Sequence, residues 1–192
     1  MIHNVQTILP CVVVYDCQHD FKDLVELIET ESNKPWSYLP FMGGWSDDME
    51  TTSQFVSLGP AQDALSGAPG SPQESSLRRI AELHLSCNQI LEDCLHDYLE
   101  YYSHPCSMDG GPCVFKITGK HRYSTPIDAP DNYYIISALM ALTEVRIKLD
   151  RFETEFTVGP GDVYILPSQF PHEHSILGTP DSAYVLGKHL RA

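Results

Sequence analysis

The stretch from Phe156 to His174, FTVGPGDVYILPSQFPHEH, constrains the fold of this chain more than any other. Gly159, Pro160 and Gly161 specify a tight turn, because proline presets φ and glycine accepts positive φ. Val163 and Ile165 alternate with Asp162, Tyr164 and Leu166, so a strand buried on at least one face follows. Pro167 has no N–H to give and ends that ladder. His172 and His174 stand two residues apart, which in an extended chain puts them on one face.

The remaining segments read as strands and helices in a definite order. Cys11 to Tyr15 is a β-branched run and reads as a buried strand. Asp20 offers an N-cap to a helix carrying Phe21, Leu24, Val25 and Ile28 at helical spacing, which Lys34-Pro35 ends. Residues 35–50, with Trp36, Tyr38, Phe41 and Trp45, read as an aromatic cover loop, and Ser53 to Leu58 as a short strand. Ala61 to Gln73 holds Gly and Pro and is expected to be a flexible connection. From Ser75 or Ser76 a long helix is expected. Leu77, Ile80, Ala81, His84, Cys87, Leu91, Cys94, Leu95, Tyr98 and Tyr102 form its apolar stripe, with His84 as a core histidine. After a Gly-rich turn at Ser107 to Pro112 the texture becomes β: Cys113 to Ile117, the doubly buried Tyr133 to Leu142, the half-wet segment from Val145 to Val158, and Ala183 to Leu190.

Composition narrows the classes. With 192 residues the chain has room for a real core, and a formal charge of −14 excludes a nucleic-acid backbone or an anionic membrane as an expected partner. Six cysteines occur without a C-x-x-C pair, which fits buried thiols in a reducing compartment rather than a zinc knuckle or a disulfide framework. There is no P-loop, no G-x-S-x-G and no G-x-G-x-x-G.

The opening stretch resembles the C-terminal half of a double-stranded β-helix, or jelly-roll, active site. Fe(II)/2-oxoglutarate oxygenases of prolyl 4-hydroxylase type carry a Gly-Asp strand, then Pro-Ser, then a distal metal histidine followed by Glu. Here those are Gly161, Asp162, Pro167, Ser168, His172 and Glu173. Cupins share the pattern through Gly161, Pro167 and His172. The order of elements resembles the oxygenases over most of the chain, and the motifs do so over residues 115–187. The resemblance implies a metal held by two histidines and a carboxylate, with His172 as the distal histidine and Asp128 as the carboxylate.

The chain departs from that pattern at two places. Pro126 stands where the first histidine belongs, and proline cannot ligate iron. Asp181 stands near the expected cation for the far carboxylate of 2-oxoglutarate, and Lys188, the nearest cation, comes late. Asp128, His172 and His174 could then form a rearranged metal set, with His121 in reserve. The first cupin motif is absent, since His121 stands alone before residue 150. Cys113 and His121 have no orienting third group, so Cys113 reads as a core cysteine.

The expected fold is therefore α+β, a double-stranded β-helix with a supporting N-terminal helical layer. One domain is expected over 1–192, with strand, helices and cover loop in 1–112 and the jelly-roll core in 113–192. The expected function is that of a non-catalytic jelly-roll protein derived from a 2-oxoglutarate oxygenase, needing no cofactor. It would be a structural or binding subunit with protein partners in an assembly. The resemblance extends to compact members encoded by bacteriophages, so a virion is one expected setting and the cytoplasm the other. The alternative is an Fe(II)/2-oxoglutarate-dependent dioxygenase with metal on Asp128, His172 and His174 and co-substrate on Lys188. A cupin-like ligand-binding module is the third reading.

Overall fold

A computed structural model describes residues 2–32, 41–43, 53–57, 72–102, 107–117, 120–123, 135–167, 172–176 and 183–191. The chain opens with a hairpin, β1 (Asn4–Leu9) and β2 (Val12–Asp16). Helix α1 (Lys22–Ser32) follows, and Asp20 accepts a hydrogen bond from the Lys22 N–H at 2.9 Å, as a residue at the helix start should. Two short strands, β3 (Phe41–Gly43) and β4 (Ser53–Ser57), precede α2 (Pro72–Tyr102). Eight strands complete the chain: β5 (Ser107–Ile117), β6 (Lys120–Tyr123), β7 (Ile135–Ala141), β8 (Val145–Leu149), β9 (Thr154–Val158), β10 (Val163–Pro167), β11 (His172–Ile176) and β12 (Ala183–Arg191).

Those eight strands pass back and forth between two antiparallel sheets, with β8 and β9 a hairpin within the smaller one. The four-stranded sheet has the order β6-β11-β8-β9, and β10-β7-β12-β5 forms the centre of the larger one. The larger sheet is widened by β2 and β1 beside β10, and by β4 and β3 beside β5. This interleaving is the double-stranded β-helix, here with a helical layer on one side. Between the sheets Leu139, Ala141, Val145, Ile147, Leu149, Val158, Tyr164 and Leu166 pack into one cluster. On the opposite face of the large sheet Ile136, Ala138, Met140, Val163 and Ile165 pack against Leu24 and Ile28 of α1 and Ile80, Leu91 and Leu95 of α2. The Tyr98 hydroxyl donates to the Cys11 carbonyl at 2.9 Å, and that of Tyr15 to Asp97 at 3.0 Å, fastening α2 to the hairpin.

Several expectations need correction. β1 was not expected; its burial runs from exposed to half-buried, so it lacks an apolar run. β3 lies inside the expected cover loop. The expected turn at Ser107 to Pro112 is the start of β5, paired with the end of β12 through an irregularity at Gly187/His189. α2 begins at Pro72, earlier than the serines, because proline is tolerated in a first turn. Phe152 belongs to a 3-10 turn, Asp150–Phe152, rather than a strand. The rest of the expected cover loop and the connection at 61–71 lie outside the described residues.

The Gly159–Gly161 turn is built as the sequence specified. Gly161 has φ +81°, and a Cβ there would overlap the His19 carbonyl oxygen. The Asp162 carboxylate accepts the backbone N–H groups of Cys17 at 2.9 Å and Gln18 at 3.2 Å. The Gly-Asp pair therefore anchors the β2–α1 connection to the jelly roll.

Candidate functional site

The small sheet shows which of its faces is inner. Along β8, Val145, Ile147 and Leu149 are buried while Lys148 is exposed and Arg146 half-buried. On the outer face the cross-strand row reads Arg122, Glu173, Lys148, Glu155, with alternating charges. Arg146 adds an ion pair to Glu155 at 3.0 Å, so that face is a solvated charge ladder.

Directly opposite residues of an antiparallel pair lie on the same face. His174 pairs with Ile147 on one side and with His121 on the other. His172 pairs with Leu149 and with Tyr123. The register thus places His121, His172 and His174 on the face that holds Ile147 and Leu149. His121 and His174 form a direct cross-strand pair, where Cβ atoms typically stand about 4.5–5.5 Å apart. The register thus gathers three histidine positions on one sheet face, a residue type that ligates divalent first-row metals.

Lys188 falls elsewhere. On β12 it pairs with Ala138, and Ala138 belongs to the cluster against the helices. The positions sharing the inter-sheet face of Leu139 and Ala141 are Gly187 and Val185, with His189 opposite Ser137. Lys188 is therefore registered on the helix side, apart from the histidines. A 2-oxoglutarate carboxylate between the sheets needs a cation, and the central inter-sheet positions of β12 carry none. Arg191, opposite Ile135, follows on that same face at the end of the strand.

Asp128, Pro126 and Asp181 lie outside the described residues. Among the described side chains no group of three His, Cys, Asp or Glu is placed to hold a metal. His84 is buried on α2, within the helical layer. The sequence reading kept His121 only in reserve, because β6 was not recognised as a strand. The signal was the alternation Lys120, His121, Arg122, Tyr123, with charges at every second position.

No protein-family model and no curated protein matches the chain. Solved structures do resemble it. The epimerase SnoN, in complex with Fe3+, α-ketoglutarate and nogalamycin RO, is 11% identical with a TM-score of 0.52, over 94% of this chain and 78% of that one. HygX from Streptomyces hygroscopicus, with nickel, 2-oxoglutarate and hygromycin B bound, is 10% identical with a TM-score of 0.51, over 94% and 82%. A Pseudomonas putida prolyl-4-hydroxylase is 14% identical with a TM-score of 0.44, over 94% and 91%. At these identities the likeness is one of fold. The chain has the double-stranded β-helix fold that SnoN and HygX share. It is a divergent example of that fold, with the helical layer and the widened major sheet described above.

Proposed function

We propose that this chain is a non-catalytic jelly-roll protein of oxygenase descent, acting as a structural or binding subunit of a protein assembly such as a phage particle. The observation that carries this reading is the register of β12. Lys188 sits on the helix side, and Val185 and Gly187 occupy the central positions between the sheets. A dianionic co-substrate at those central positions would have its nearest cation of the same face at Arg191, at the end of the strand, and a buried anion left uncompensated is costly. Pro126 in place of an imidazole supports the same reading. The formal charge of −14 suits a subunit that docks on a basic surface. The test is succinate release with excess Fe(II), ascorbate and 2-oxoglutarate. The expected outcome is background release, unchanged in His172→Ala. Turnover that disappears in His172→Ala would overturn the reading.

A second reading has its own support in the pairing of His121 with His174. In it the fold retains a rearranged metal site, with His121 or His174 supplying the nitrogen missing beside His172 and Asp128, and dioxygenase chemistry persists. Metal analysis separates the two: His172→Ala should remove bound metal if the rearranged site exists, and whichever of His121→Ala and His174→Ala also removes it identifies the third ligand.

A further inference from the structure

A second chemically active cluster lies on the other side of the large sheet. Cys17 immediately follows β2, and Cys94 lies in α2. Their sulfurs are 3.7 Å apart in an S–H···S hydrogen bond, and both residues are buried. They come from elements far apart in sequence, brought together by the packing of α2. We propose that Cys17 and Cys94 form a thiol–disulfide exchange site that reacts with low-molecular-weight disulfides such as oxidised glutathione, reversibly tying the β2–α1 connection to α2.

Three observations support this. The first is geometric: the sulfurs need to approach by roughly 1.7 Å, from 3.7 Å to an S–S bond length. The second concerns access. Cys17 begins a segment, 17–21, that is neither strand nor helix before α1, and its neighbour Gln18 is exposed and held at φ 51°. That segment is pinned by the two hydrogen bonds to Asp162, so releasing them uncovers Cys17 without unfolding α2. The third is chemical. The hydrogen bond between the two thiols holds the Cys17 pKa down, while the same pairing and burial push Cys94 up. Cys17, on the connection after β2 rather than inside α2, is the attacking thiol once that connection opens. By contrast Cys87, on the same helix, is pushed up to about 12 by burial and stays protonated.

The chemistry balances as two exchanges. The Cys17 thiolate attacks one sulfur of the small disulfide, forming a mixed disulfide and releasing one small thiolate. Cys94 then loses its proton, attacks the Cys17 sulfur and releases the second small thiolate. Two protein thiols are oxidised, and one small disulfide is reduced to two thiols. The site is independent of whether the small sheet binds a metal.

The experiment treats the reduced full chain with oxidised glutathione at mildly alkaline pH, then quenches with acid and maps peptides without reduction. The expected result is a dominant Cys17–Cys94 cross-link with loss of two hydrogens. Tm should rise by roughly 5–15 °C and return with dithiothreitol, as for a cross-link closing a long loop. Cys94→Ser should instead hold glutathione on Cys17 as a stable mixed disulfide. Preferential reaction at Cys11 or Cys87, with Cys17 and Cys94 left reduced even in mild urea, overturns the proposal. So does a Cys17–Cys94 cross-link that leaves Tm unchanged, because the tie between the connection and α2 would then be absent.

Discussion

At Gly161 the backbone and the side-chain-free Cα are both needed. Its φ of +81° disfavours any L side chain, and the His19 backbone fills the space a Cβ would take. Its N–H also donates to the Ala141 carbonyl at 2.6 Å, so the residue cannot move away without breaking a ladder bond. Gly161→Ala should therefore destabilise by roughly 2–5 kcal/mol in urea titration, combining strain with overpacking. A loss no larger than an ordinary surface substitution would contradict this. Two other residues set the alkaline limit. Burial pushes the Tyr164 phenol well above its ordinary 10.0, and the Cys87 thiol from 9.0 to about 12. Both lose their protons more readily in the unfolded chain than in the fold. The Cys87 contribution is therefore complete below pH 9 and lost as pH rises to about 12, and that of Tyr164 is complete below pH 10.0 and lost progressively above it. Urea midpoints should fall steadily over that range, and Tyr164→Phe should make the decline above pH 10 shallower. An unchanged slope in that variant would remove Tyr164 from the explanation.

Among the elements, α2 was the most legible. Ile80, His84, Cys87, Leu91, Cys94, Leu95 and Tyr98, read as a stripe from their spacing, are all buried. Leu91 is 0% exposed, so Leu91→Ala should cost about 2–5 kcal/mol, and a loss below about 0.5 kcal/mol would place it on the surface instead. The strands were legible where apolar residues run or alternate, as in β7, β8 and β10. They were not legible where an element lacks such a run. β1 is a largely exposed edge, β6 is four residues with two charges, and the start of β5 carries Gly and Pro. The site followed the same division. That His172 and His174 share a face is a local property of an extended chain. That His121 stands opposite His174 depends on non-local register, which no local pattern encodes. The side taken by Lys188 was hidden for another reason. Val185 on one face of β12 and Leu186 and Leu190 on the other are all apolar, so alternation could not distinguish the inter-sheet face from the helix face.

Across the whole molecule, the two hydrophobic clusters are separated by a single sheet and share its strands. β7 gives Ile136, Ala138 and Met140 to the helical side, and Leu139 and Ala141 to the inter-sheet side. β10 likewise gives Val163 and Ile165 to one and Tyr164 and Leu166 to the other. Neither cluster can lose these strands without uncovering the other. The helical layer and the jelly roll should therefore unfold together, although their side chains pack in separate clusters. Leu91→Ala on the helical side and Ile147→Ala between the sheets should each shift one common urea transition, seen alike by far-UV circular dichroism and by the near-UV signal of the buried Tyr15, Tyr98 and Tyr164. The two residues belong to separate clusters with no shared side-chain partner described, so the double variant should lose the sum of the single losses within about 0.5 kcal/mol. Two resolved transitions, one moved only by Leu91→Ala and the other only by Ile147→Ala, would mean that the shared strands do not couple the layers.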